Sequence, residues 1–216
     1  PFDPRWTKMD PSYTPPGPIS TDAPGPGRNL AEQDLSYRDL SGVDLSRANL
    51  EGTVLTGANL RGAKLAGANL KHAVLYKADL TGADLSKADL TLANLALARA
   101  AGADLRDAIP EQAPLEAADL PRASLTGAKG EYVVFVRANL TEAICQRTVL
   151  DHSDLSECIL EQADFTSASL AACQLMKCRA KQANLAGARL DVANFTDADL
   201  RKASFVYARG ALVLWQ

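Results

Sequence analysis

The chain has 216 residues, 47% of them apolar and 6% aromatic, with 26 acidic and 23 basic side chains and a formal charge of −3. So mild a balance announces neither a nucleic-acid-binding surface nor a strongly acidic one. No apolar run approaches the ~20 residues that span a bilayer, no secretory leader is legible, and an opening on Pro1 in place of Met reads as a processed or excised chain.

Residues 1–27 hold eight prolines. Proline fixes φ and has no N–H to give, so this stretch is expected as an extended or polyproline-like tail. It serves either as a flexible linker or, through Phe2, Trp6 and Tyr13, as a strap anchored to the first coil or to another chain.

From Leu30 to Phe205 the sequence repeats every five residues without insertion or deletion. Leu or Phe stands at 31 of 36 positions divisible by five, and Ala two residues earlier in 25 of the same 36 pentads. Runs such as Ala58-Asn59-Leu60 and Ala78-Asp79-Leu80 show the pattern: Ala, then Asp or Asn, then Leu, then two free residues. Five residues keep no single stripe on an α-helix, and five is odd for the two-residue alternation of a strand. Ala and Leu both point inward only if the chain bends at the following polar pair before the next short segment. The result is a coil with flat sides, and coils of this kind bury their apolar side only by stacking.

In this motif the chain resembles the pentapeptide-repeat family, whose repeat is written A(D/N)LXX and which here covers about 176 of the 216 residues. The resemblance implies an all-β fold: a right-handed quadrilateral β-helix, four pentads to a coil, with Leu/Phe and Ala inside. Thirty-six pentads then make about nine coils, a rod on the order of 43 Å long at roughly 4.8 Å per coil. The chain divides into the tail, 1–27, the β-helix, 28–207, and an apolar C-terminal cap, 208–216. Arg28, Gln33 and Arg38 depart from the inward Ala of the opening coil, which reads as a covered or frayed end. Ala100, Pro110, Gly130, Cys145 and Ala180 replace the central Leu or Phe, and local softening is expected chiefly around 106–135.

No catalytic residue, cofactor or metal site is expected. His72 and His152 share a column but sit about 19 Å apart, too far to cooperate. Asp151 and His152 read as solvent-facing decoration beside an inward Ser153. Gly42, Gly57 and Gly82 ease turns and imply no phosphate cradle. The Asp/Asn ladder of Asp79, Asp84, Asp89 and Asn94 is better explained by side chains that bond their own turn backbone than by a metal. Cys145, Cys158, Cys173 and Cys178 fall on inward slots as small hydrophobes. Cys158 and Cys178 come close enough on adjacent coils for a disulfide, but parallel stacking aims their side chains the same way.

Function in such a rod rests with the outward residues. On the side centred on residues 35, 55 and 75, Tyr37, Tyr76, Leu97, Val134, Val136 and Met176 form an apolar strip, read as a partner-binding face; half-burial of the residue before each central Leu is the alternative reading. The neighbouring side carries Glu51, Glu111, Glu131, Asp151 and Asp191 in one column. Some members of the family resemble duplex DNA and protect gyrase, yet B-DNA presents a charge every ~1.7 Å, more densely than this interrupted column at one per roughly 5 Å. At the C-terminal end, Leu212, Leu214 and Trp215 are expected either to lie as a lid on the open coil or to form an end-to-end homodimer.

The function expected is thus a non-catalytic protein–protein interaction or scaffold rod, as an accessory subunit or the repeat domain of a larger adaptor. The alternative is a DNA mimic that binds a type II topoisomerase, gyrase. A protein partner is expected, and no direct nucleic-acid binding. Relatives occur in the bacterial cytoplasm and the photosynthetic lumen, so location stays open between them.

Overall fold

The computed structural model describes residues 25–215, and throughout them the five-residue beat becomes a coil. Three residues after a central Leu or Phe the chain has turned: Ala58 N–H donates to the Leu55 carbonyl at 3.0 Å, and Ala83 N–H to that of Leu80 at 2.9 Å. The second residue of each turn has a positive φ, between +51° at Ala117 and +72° at Gly127. That sign is what a type II turn requires at its third position. Gly57 and Gly82 meet it without strain, but Lys77, Arg47 and even the β-branched Val192 hold the same conformation.

Between turns, one residue per side is bridged in parallel to the residue twenty further on, as Asn59 to Asp79 and Asp79 to Arg99. Leu60 N–H donates to the Asp79 carbonyl at 2.7 Å, and Asp79 N–H to the Ala58 carbonyl at 2.9 Å. The step of twenty means that four pentads complete one coil. Each sheet is therefore a column one residue wide, and among the described residues no strand runs along the chain.

The core is a line of side chains down the axis. Central residues from Leu30 to Phe195 and inward alanines from Ala48 to Ala193 are buried. Three polar inward residues donate to a carbonyl one coil below, Thr53 Oγ1 to Leu30 O at 2.8 Å, Cys158 Sγ to Phe135 O at 2.8 Å and Cys173 Sγ to Leu150 O at 2.9 Å, while Thr148 Oγ1 donates to Cys145 O of its own turn at 2.9 Å.

The ladder is interrupted where prolines remove a donor. Asn94 and Pro114 lack a bridge, as do Ile109 and Lys129, because Pro114 has no N–H for the Ala93 carbonyl and Pro110 none for that of Lys129. Gly130 lies so close over Pro110 that a Cβ there would come within 2.8 Å of the Pro110 carbonyl carbon. The turn after Gly130 lacks its usual backbone bond, and Val133 N–H donates to Ser153 Oγ at 3.0 Å instead. The five-residue register nevertheless passes through without a break.

It also continues through 208–215. Arg189 is bridged to Arg209 and Asn194 to Leu214. Trp215 occupies a central position, stacked on Phe195 at 4.9 Å between ring centroids and edge-on to Phe205 at 5.3 Å. The segment set apart as a cap winds as coil, with its aromatic end lying on the coil beneath.

Candidate partner-docking face

Three positions of each pentad face outward, and they are not equivalent. The bridged residue before each central Leu is flanked by neighbours of the same column, so Val54, Val74 and Val134 are half-buried. The first turn residue is similar, and Tyr76 and Val136 are half-buried too. The second turn residue stands out on the corner, leaving Tyr37 and Leu97 exposed, Leu97 by 41%. Met176, a first turn residue, is exposed as well. All six residues of the expected strip lie on one side of the tube. Half-burial accounts for Val134 and Val136 as apolar residues, whereas Tyr37, Leu97 and Met176 face solvent.

The strip is set into polar surroundings. Lys77 Nζ lies 5.2 Å from the ring centroid of Tyr76, a cation–π contact. Ser156 is buried beside Val136 and Met176 in the same column of first turn residues, and its hydroxyl has no hydrogen-bond partner among the described residues.

The acidic column differs from its sequence reading. At many turns the first N–H is accepted by Asp or Asn two residues earlier, as Ser46 by Asp44 at 3.0 Å and Thr81 by Asp79 at 3.1 Å. Lys129, Ser169 and Arg209 cannot serve in that way, and the N–H groups of Glu131, Ala171 and Ala211 are taken instead by carboxylates one coil below. Glu111 accepts at 2.7 Å, Asp151 at 3.0 Å and Asp191 at 2.9 Å. Asp151 is not solvent-facing decoration: it is 9% exposed, accepts from Ser169 Oγ at 2.5 Å and is paired with Arg189. Three of the five acidic residues in that column are thus backbone clasps.

Hydrogen bonding holds other carboxyls ionised. Arg106, through side chain and backbone, keeps Asp104 below the usual carboxylate range despite partial burial. Arg201 does the same at Asp199, which is lowered to about 2. The Asp/Asn ladder bonds its own turns, and amides add rungs along the axis, as Asn69 Nδ2 to Asn49 Oδ1 at 3.1 Å.

His152 is exposed and stacks on Tyr132, with ring centroids 5.0 Å apart. The four cysteines are buried and free, with no Cys158–Cys178 bond. Burial pushes the Cys173 and Cys178 thiols up to about 12, far from the thiolate form that reacts. Among the described residues no three His, Cys, Asp or Glu side chains are placed to hold a metal, and no helix is long and apolar enough to cross a membrane.

At the C-terminal end Leu212 is 80% exposed, and Leu214 and Trp215 about half. A cavity of about 230 Å³ opens there between Leu190, Phe205, Val213 and Trp215. The tail anchors Phe2, Trp6 and Tyr13 lie outside the described residues. Leu92, Tyr132 and Val192, exposed on another corner, were not singled out from sequence. The signal was their place as second turn residues, the most outward of the pentad.

The sequence model for pentapeptide repeats matches this chain in segments 39–76, 53–91, 73–109, 111–144, 143–179 and 181–209. Among solved structures, HetL from the cyanobacterium Nostoc sp. strain PCC 7120, a pentapeptide repeat protein involved in heterocyst differentiation regulation, is 31% identical. The match covers 85% of this chain and 87% of HetL at a TM-score of 0.51. A pentapeptide repeat protein of the Arabidopsis thaliana thylakoid lumen is 38% identical over 46% of this chain and 66% of its own, with a TM-score of 0.32. Full-length QnrB1, a plasmid-mediated fluoroquinolone resistance protein, is 14% identical over 82% and 93%, with a TM-score of 0.42. A search of curated proteins gave no match.

Proposed function

From the premise that this chain belongs to the pentapeptide-repeat family, we propose that it is a non-catalytic binding rod that docks a protein partner on the side bearing Tyr37, Tyr76, Leu97, Val134, Val136 and Met176. The rod is taken as a right-handed, four-sided tube of about nine coils. Its place is that of an accessory subunit or of the repeat domain of a larger adaptor. The observation that carries the reading is the solvent exposure of Leu97, Tyr37 and Met176 along one side of a tube whose core is already filled by Leu and Ala. An exposed apolar strip on a molecule with a complete core marks an interaction site. HetL is a protein involved in regulation, and regulation by contact is the class of function proposed here. End-to-end pairing through Leu212, Leu214 and Trp215, and anchoring of the tail by Phe2, Trp6 and Tyr13, are secondary elements of the same proposal.

A gyrase-directed DNA mimic is the weaker reading. It is motivated by the acidic column, but Glu111, Asp151 and Asp191 are engaged with backbone N–H groups. Affinity capture with the full chain tests the proposal. Tyr76→Glu combined with Val136→Glu is expected to abolish capture of the partner with circular-dichroism melting unchanged, and retention of the same partner by the double variant would place docking elsewhere. Inhibition of gyrase supercoiling at micromolar protein would favour the mimic.

A further inference from the structure

We propose that the corner carrying Leu92, Tyr132 and His152 is a second docking ridge, whose occupant is an extended basic peptide segment with an arginine laid against the Tyr132–His152 stack. This corner lies one pentad away from the apolar strip and is independent of it.

The ridge carries exposed apolar residues between polar ones such as His72 and Gln112. Second turn residues project furthest, and Leu92 is 42% exposed, Tyr132 52% and Val192 52%. The Tyr132 and His152 rings, on successive coils, are stacked with 12° between their planes. The next residue in that column is Ala172, whose methyl group is too small to cover the far face of His152. Two rings held parallel on a rigid backbone form a platform that needs no ordering on binding.

Charge determines what fits it. Glu32, Glu51, Glu111, Glu131 and Asp191 occupy the turn places of this corner with the buried Asp151; Lys71, in the same places, is paired with Asp89 at 3.2 Å, and Arg189 reaches in from the neighbouring column to pair with Asp151. Ten residues round the coil, on the opposite corner, bases outnumber acids: Arg61, Arg122, Lys181, Arg201 and Lys202 stand there against Glu142 and Glu161. The net charge of −3 therefore hides a cross-section with an acidic side and a basic one. Beside the platform, the Glu131 carboxylate is exposed and accepts no hydrogen bond from the described residues, in contrast to the clasping Glu111.

A planar cation suits this pairing of ring and carboxylate. Guanidinium stacks on aromatic faces and gives two parallel N–H groups to a carboxylate, whereas an ammonium offers only a hydrated point charge. A straight ridge with a residue every ~4.8 Å accepts an extended chain laid along it.

The test is fluorescence anisotropy of the full chain with two labelled octapeptides, alternating Arg-Gly and alternating Lys-Gly, at fixed salt. The arginine peptide is expected to bind at least fivefold more tightly than the lysine peptide. Tyr132→Leu with His152→Leu, which keeps bulk but removes the ring faces, brings it down to the lysine level. Glu131→Gln weakens both peptides several-fold, and Leu97→Gln on the other docking side changes neither. Unchanged melting of each variant confirms folding, and Glu131→Gln alone still reads the site if the double variant melts early. Equal binding of the two peptides, arginine binding within twofold of wild type in the ring-deleted variant, or no binding at millimolar peptide would each overturn the proposal.

Discussion

The ring of Tyr37 occupies the space left by the missing side chain of Gly57, one coil further on: a Cβ at Gly57 would lie 2.6 Å from Tyr37 Cε1. Gly57 also has φ +61°, while Gly62, at the same φ, has nothing within 4 Å of such a Cβ. Gly62→Ala is expected to cost up to about 1 kcal/mol, the left-handed penalty less the entropy regained from the unfolded chain. Gly57→Ala should cost about 1 kcal/mol more, because an off-rotamer ring is added to the same backbone term. Denaturant melts of both variants, and of Gly57→Ala with Tyr37→Ala, check this; equal costs at the two glycines would show that the ring is not seated there.

Val192 is the converse case. A β-branched residue at φ +60° is a steric outlier, and its side chain is largely exposed. Val192→Gly is expected to stabilise the chain by roughly 0.5–1 kcal/mol, read as a raised Tm. A lowered Tm would mean that the valine contributes packing on that corner.

Ser153 replaces a turn bond that the backbone does not make. Removing its hydroxyl leaves the buried N–H of Val133 without an acceptor, and Ser153→Ala should cost about 1–3 kcal/mol. Hydrogen exchange would show the loss as faster exchange at Val133. In the wild-type chain the lowest protection among the coils is expected around residues 110–135, where the prolines omit ladder bonds.

Acid should weaken the fold through its turn carboxylates. Asp39 and Asp44 are lowered first by the hydroxyls of Ser41 and Ser46, and Asp104 and Asp199 first by their arginines. A carboxyl lowered on folding gives its stabilisation above the unfolded-state value, near pH 4, and loses it as pH falls through the folded value, which is about 2 at Asp199. Tm should therefore decline from about pH 4 downward toward pH 2. Asn in place of Asp104 and Asp199 keeps the turn acceptor and should flatten part of that decline.

Much of this structure could be read from the sequence because the repeat is its own register. Once Leu60 and Leu80 are set inward, Ala58, the turn at Thr56-Gly57 and the outward Asn59 follow from the geometry of five residues. The self-bonding of Asp79 to the turn after it was equally legible, since donor and acceptor lie two residues apart. What escaped depends on neighbours twenty or more residues away. Asp151 is drawn inward because Ser169 occupies the Asx position that would have served Ala171, and because Arg189 reaches it from the coil beyond. The Tyr132–His152 stack is likewise a contact between coils, and the difference between half-buried Val136 and exposed Leu97 rests on first and second turn places that a hydrophobicity pattern does not separate.

The most direct measurement is photo-crosslinking of the chain to its captured partner from single photoreactive phenylalanine substitutions. Positions Tyr76, Leu97 and Val136 report on the docking side, and Lys87 and Arg106 on the corner opposite. The account predicts crosslinks at the first three and none at Lys87 or Arg106. Crosslinks confined to Lys87 and Arg106 would contradict it.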